Sequence, residues 1–171
     1  MLDMWLARHT PSTVLPRLRK VIEGCHEQFA DAVANGGGIY SAGYCFGAKY
    51  TILLLGANAA EDGQPLLKSG SIAHATLVTT EDMHAIRRPI CMVVALDDPM
   101  FTAAMACEVK VPTRQHDGID YVMYSHNAPH GFAVVGEYED ANIVEEQKSA
   151  FDEMSRFLSE DRRQVLTWSE D

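Results

Sequence analysis

A cysteine, an aspartate pair and a histidine occur here in an order that could carry acyl transfer. Cys45 is the middle residue of Gly43-Tyr44-Cys45-Phe46-Gly47, Asp97-Asp98 comes later, and His130 follows both. In such a set a thiolate attacks a carbonyl carbon. The histidine holds the thiol proton or pairs with the thiolate. A carboxylate fixes the imidazole tautomer and supports its positive charge. The pentapeptide alone is a weak signal, because a free cysteine is often just a small buried hydrophobe. The order nucleophile, acid, histidine is what gives it weight.

The elements around these residues must place them together. The apolar run Gly38-Ile39-Tyr40-Ser41-Ala42 predicts a strand, and the stretch from Ala48 to Leu55, bounded by Gly56, predicts a buried helix. Between them the turn must be very tight, a nucleophile elbow with cysteine at its apex. The expected reason for glycine at both 43 and 47 is steric: strand and helix pass so closely that a Cβ on either flank would clash. The helix N-terminus beneath the sulfur favours thiolate.

The other elements follow in alternation. Thr10-Pro11-Ser12 opens a helix, and Val14, Leu18, Val21, Ile22, Cys25 and Phe29 continue it on one face to about Val33, with Pro16 near its start. Residues 71–78 read as a strand and 81–86 as a short helical turn. Ile90 to Leu96 is the most continuous apolar run, suited to a strand buried on both faces. A helix to about Val109, a last strand over 119–124 and a loop over 125–131 holding His126 and His130 come next. A closing helix over 141–158, with Ile143, Gln147, Ala150, Phe151, Met154 and Phe157 on one face, precedes a charged tail over 162–171. Strands alternating with helices predict an α/β fold, a mostly parallel sheet flanked by helices in one domain over 1–171. Cys45, Asp97-Asp98 and His130 each follow a predicted strand at its carboxyl end, where such sheets gather their reactive groups.

Composition narrows the partners. The net charge of −10 argues against nucleic acid and anionic membrane surfaces. Cys25, Cys45, Cys91 and Cys107 show no metal-ligand cadence and no disulfide framework, so no metal or cofactor is expected. No leader peptide is read at the start and no apolar run reaches membrane length. A reducing cytoplasm, where a free thiol persists, is the expected compartment.

The sequence resembles the dienelactone hydrolase family of the α/β-hydrolases, especially its fungal-type members. The resemblance rests on Gly43-Tyr44-Cys45-Phe46-Gly47-Ala48-Lys49-Tyr50, Ala73-His74, the stretch from Ile86 to Pro89, Ala95-Leu96-Asp97-Asp98-Pro99 and His130-Gly131-Phe132-Ala133-Val134, and it runs from about Trp5 to Leu158. It implies Cys45 as nucleophile, Asp98 (the acid immediately before proline) and His130 as base, with the Phe46 backbone N–H as one oxyanion donor. It implies a small lactone or ester as substrate, cleaved through an acyl-thioester. Tyr44 and Phe132 are the candidate pocket residues. His74 matches a family histidine and reads as structural, while His126 lacks the Gly-Phe that follows His130. Cys25, Cys91 and Cys107 read as core or helix-face residues.

Two departures from the family pattern shape a further expectation. The family's first strands, which carry a second oxyanion N–H, a glutamate that helps activate the thiol and an arginine for a substrate carboxylate, have no counterpart here. Val134-Val135 stands where family members often have an arginine. The flank of the strand over 38–42 is therefore expected to be uncovered and open to pairing, giving a homo-oligomer or an impaired relative that survives as a binding or pairing protein. A redox-sensing thiol is a third possibility, and it would need a resolving cysteine near Cys45.

Overall fold

Ile90-Cys91-Met92-Val93-Val94-Ala95 can be satisfied only inside a sheet covered on both faces, and its six residues are all buried. The computed structural model describes residues 2–57, 59–60, 62–101, 121–134 and 136–167, with backbone alone for 2, 3 and 161–167. Four strands form one sheet in the order β1 (Tyr40–Tyr44), β2 (Ser69–Ala73), β3 (Ile90–Ala95), β4 (Tyr121–His126). Every pairing is parallel. Among the described residues six helices surround or flank them: α1 (Leu2–Arg8), α2 (Pro11–Gln28), α3 (Ala30–Asn35), α4 (Phe46–Leu54), α5 (Thr80–His84) and α6 (Ala141–Thr167).

The two-residue period of the strands divides the interior into two layers. Ile90, Met92 and Val94 of β3 join Ile72, Ile52, Leu55 and Ile22 in the layer under α2 and α4. Cys91, Val93 and Ala95 join Ala73, Phe132, Ala150 and Met154 in the layer under α6. The hydroxyl of Ser71, buried in β2, donates to the Met154 carbonyl at 3.2 Å and ties α6 to the sheet.

The layer under α4 is unusually close. A Cβ built on Gly43 would stand 2.5 Å from Thr51 Oγ1, 2.7 Å from the Gly47 carbonyl oxygen and 2.9 Å from Ala48 Cα. One on Gly70, in the neighbouring strand, would meet Thr51 Cγ2 at 2.7 Å. The Ser41 and Thr51 hydroxyls hydrogen-bond at 2.9 Å across the same seam. Gly47 differs: nothing lies within 4 Å of its would-be Cβ. The expected clash on both flanks of the elbow is thus real on the strand side only. Gly47 is the second residue of α4 and faces the groove beside β1.

Several element boundaries differ from expectation. The helix expected to reach Val33 breaks at Phe29, whose φ of −126° is not helical. Its ring is exposed, so no core contact holds the helix straight there. Pro16 lies inside α2 rather than at its entry. The strand expected over 71–78 ends at Ala73, because His74 (φ 35°) and Leu77 (φ 59°) take left-handed conformations that leave the ladder. β4 runs on to His126, which therefore sits in the strand and not in the loop. Residues 162–167 continue α6 instead of forming a tail. Charge does not end a helix, and neither glycine nor proline occurs between Ala141 and Thr167. The helix expected before Val109, Cys107 and residues 119 and 120 lie outside the described residues.

The asymmetry between the two glycines gives a direct test by thermal or denaturant unfolding. Gly43→Ala is expected to lose roughly 1–3 kcal/mol or more, since the contact atoms are mostly backbone. Gly47→Ala is expected to gain up to about 1 kcal/mol, because alanine suits a helix with open space around it.

Candidate active site

Cys45 stands between β1 and α4 with φ 49° and ψ −114°, a strained conformation for a residue with a Cβ. Surrounding structure holds it there. Its N–H donates to the Ala73 carbonyl at 3.1 Å, at the end of β2, and its own carbonyl accepts from Ala48 N–H at 3.1 Å. The sulfur is half-buried at the N-terminus of α4. No backbone carbonyl among the described residues takes the Phe46 N–H, as expected of a first helical residue.

Asp98 leaves the end of β3 two residues after the exposed Leu96. Its side chain is fully buried, whereas Asp97 points into solvent. One carboxylate oxygen, Oδ1, accepts from Met100 N–H at 2.8 Å, which closes the turn. The other, Oδ2, meets His130 Nδ1 at 2.7 Å. His130 Nε2 lies 3.1 Å from Cys45 Sγ. The structure therefore brings Cys45, His130 and Asp98 into one hydrogen-bonded chain. Neither Asp97 nor His126 takes part in it. With a proton on Nδ1 directed at Asp98, Nε2 is the nitrogen left to take or return the thiol proton.

His74 occupies the floor behind this chain. It is fully buried, and its ring stands 5.0 Å from that of His130 at 66°. Neither of its ring nitrogens has a hydrogen-bond partner among the described residues. Burial first, and the charge on His130 second, push its pKa down from 6.5 to about 4. His74 is thus neutral when His130 becomes imidazolium. Cys91 is equally inert: burial, then the Glu153 charge, raise its pKa to about 12.

Of the two pocket candidates, Tyr44 is half-buried beside His74, at 6.0 Å between rings. Phe132 is a correction. Its ring is completely buried, packed 6.1 Å from His74 and 5.2 Å from His126. It supports the histidine loop from below and cannot wall an open pocket. Phe46 is covered from outside by Trp5 of α1, edge-on at 4.7 Å, and Trp5 in turn stacks on His9 at 4.0 Å. The sequence offered no periodic signal for that aromatic group, because α1 is too short to show one.

Two concavities adjoin the chain. One, of about 680 Å3, opens beside His130 and is lined by Asp97, Asn127, Asp140, Asn142 and Glu146 among others. The second, of about 440 Å3, runs along the β1 flank between Val14, Leu18, Ala42, Phe46 and Leu54. Among the described residues no cluster of His, Cys, Asp and Glu is arranged to hold a metal ion.

Residues 5–160 match the dienelactone hydrolase family. The chain belongs to that family. It is 27% identical over 130 residues to hydrolase pyvD of Aspergillus violaceofuscus, which covers 76% of this chain and 48% of that protein. The chain thus spans about half the length of this curated relative. Among solved structures, a dienelactone hydrolase from Klebsiella pneumoniae superposes with a TM-score of 0.68 at 16% identity, over 90% of this chain and 63% of that one. The Bacillus cereus carboxylesterase gives 0.56 at 15% identity, over 86% and 59%. The dienelactone hydrolase-like promiscuous phosphotriesterase P91, from metagenomic libraries, gives 0.52 at 20%, over 84% and 66%. At these identities the superpositions show a shared fold, which is the parallel α/β sheet expected of the family.

The depressed His74 pKa has a consequence for stability. An unfolded His74 takes its proton near pH 6.5, whereas the folded one resists it down to about 4. The unfolded state therefore binds more protons in that window, and stability rises with pH through it. Stability present above pH 6.5 is expected to fall on acidification to pH 4, with His74 contributing on the order of a few kcal/mol. Denaturant unfolding at several pH values should show a flatter slope for His74→Leu. An unchanged slope would mean that burial of this imidazole plays no part.

Proposed function

We propose that this family member is a cysteine hydrolase that opens a lactone or small ester through an acyl-thioester on Cys45. The observation that carries the reading is the unbroken Asp98–His130–Cys45 hydrogen-bond chain, 2.7 Å and 3.1 Å long. His130 Nε2 takes the Cys45 proton, and the thiolate adds to the carbonyl carbon. The resulting oxyanion lies near the Phe46 N–H, which no backbone carbonyl among the described residues takes. As the tetrahedral adduct collapses, the C–O bond breaks and the alkoxide takes the proton from Nε2. In a lactone that alkoxide stays tethered, so a hydroxyacyl thioester results. Water then gives a proton to Nε2 and its oxygen to the carbonyl carbon, the C–S bond breaks, and the acid leaves as the sulfur regains the proton from Nε2.

Asp98 keeps one orientation throughout, because Met100 N–H holds its second oxygen. His74 adds no competing positive charge. The carboxylates of Asp97, Asp140 and Glu146 around the cavity beside His130 favour an uncharged ester over an anionic one.

Turnover of a neutral aryl ester is the test. Cys45→Ala and His130→Ala are expected to lower kcat by at least about 10³-fold, and Asp98→Asn by roughly 10²–10⁴-fold through loss of the tautomer lock. Equal rates for wild type and Cys45→Ala would overturn the assignment.

A second reading rests on the β1 flank. β2 pairs with one side of β1, and no described strand covers Ser41, Ala42 and Tyr44 on the other. The apolar groove there would suit a second copy of the chain. Edge pairing plus burial of several hundred Å2, at about 25 cal/mol per Å2, favours association. Charge repulsion opposes it but is screened over roughly 8 Å at physiological salt. Sedimentation at micromolar concentration is expected to show dimers or larger species. A concentration-independent monomer would remove this reading.

A further inference from the structure

His126 is a titratable group that the proposed reaction does not use, yet both of its ring nitrogens are bonded. It is 4% exposed. Two-residue alternation from Tyr124 turns it toward α6, where Glu146 and Glu153 stand seven residues apart on one helical face. His126 Nδ1 lies 2.5 Å from Glu146 Oε2, and Nε2 lies 2.8 Å from Glu153 Oε2. Each ring nitrogen meets its own carboxylate oxygen, so the ring cannot turn without losing a bond. A buried imidazole bonded at both nitrogens has one orientation. Glu153 is also anchored, through a 3.4 Å bond from the Ser149 hydroxyl.

The backbone of the same residue holds the acid loop. The His126 carbonyl accepts from Leu96 N–H at 3.0 Å, at the point where the chain leaves β3 for Asp98. Four residues further on comes His130. The far end of that loop returns to the His126 ring through Phe132, at 5.2 Å. One residue therefore touches the Asp98 loop by its main chain and the His130 loop by its ring. Both attachments are braced on the longest helix.

We infer that His126, clamped between Glu146 and Glu153, is the positioning residue that sets the Asp98 and His130 loops at bonding distance from each other. It touches neither substrate nor sulfur. It acts by holding two loops whose displacement by about an ångström would break the Asp98–His130–Cys45 chain, a shift that can lower a rate roughly 10²-fold. The inference rests on His130 and Cys45 being the working pair.

The test reads that pair with and without substrate. Removing His126 alone would leave two glutamates unpaired, so the main variant is the triple His126→Ala, Glu146→Gln, Glu153→Gln, which removes the clamp and its charges together. Rates of Cys45 alkylation by iodoacetamide across pH report the thiolate stabilised by His130, whether or not any ester is turned over. The midpoint of that profile is expected to move up by about one pH unit, and kcat to fall roughly tenfold or more with KM within threefold. The milder His126→Gln, which keeps a donor toward one glutamate, is expected at intermediate values, and it serves if the triple variant does not unfold cooperatively. A folded variant with the wild-type alkylation profile and kcat would overturn the inference. A shifted alkylation profile in the folded variant, with no ester turnover by the wild type, would overturn the hydrolase reading and leave the clamp standing.

Discussion

The contact on which the site depends is the approach of α4 to β1 at Gly43. Helix and strand are so close there that no side-chain carbon fits between them. A chain that must pass from strand to helix within one residue at that spacing has few conformations available, and Cys45 takes a left-handed one. The strain is over-determined by the Ala73 and Ala48 hydrogen bonds on either side of it. What results is a sulfur at the end of the sheet, beside the first turn of a helix. Gly47, on the helical side, is not needed for clearance.

Three histidines in the same region are told apart by their partners. His130 is partly exposed and has an aspartate on one nitrogen and a thiol on the other. His74 is buried with no hydrogen-bond partner for its ring nitrogens among the described residues, and burial keeps it neutral. His126 is buried between two glutamates, one on each ring nitrogen. The rings of His74 and His126 both rest on Phe132, so the packing of one phenyl group connects the floor of the site to its outer brace. The same side chain thus stands in three settings, and burial set against pairing distinguishes them.

Family membership and a half-length match to the fungal relative frame the open flank of β1. Within the described residues the elbow strand is an edge strand. The groove along it is lined by Phe46, so whatever covers that flank also reaches the residue next to the sulfur.

Much of the site could be read from residue order alone. The motif around Cys45, the buried run of β3 ending at Asp98 and the His130-Gly131-Phe132 stretch each lie where a strand ends, and parallel strands bring their carboxyl ends to one edge. The two-faced burial of β3 was legible for the same reason: six consecutive apolar residues leave no solvent face. Other features needed the folded chain. That Gly43 is sterically required and Gly47 is not depends on which way each position faces across the helix–strand seam. That β2 stops at Ala73 depends on a left-handed His74, which no local pattern announces. Phe132 looked like a pocket wall and is a buried support, because its exposure is set by α6 and by two distant histidines. The clamp on His126 joins residues twenty and twenty-seven positions apart. Local sequence specifies periodicity and turn chemistry, whereas burial and pairing across such separations exist only once the layers have packed.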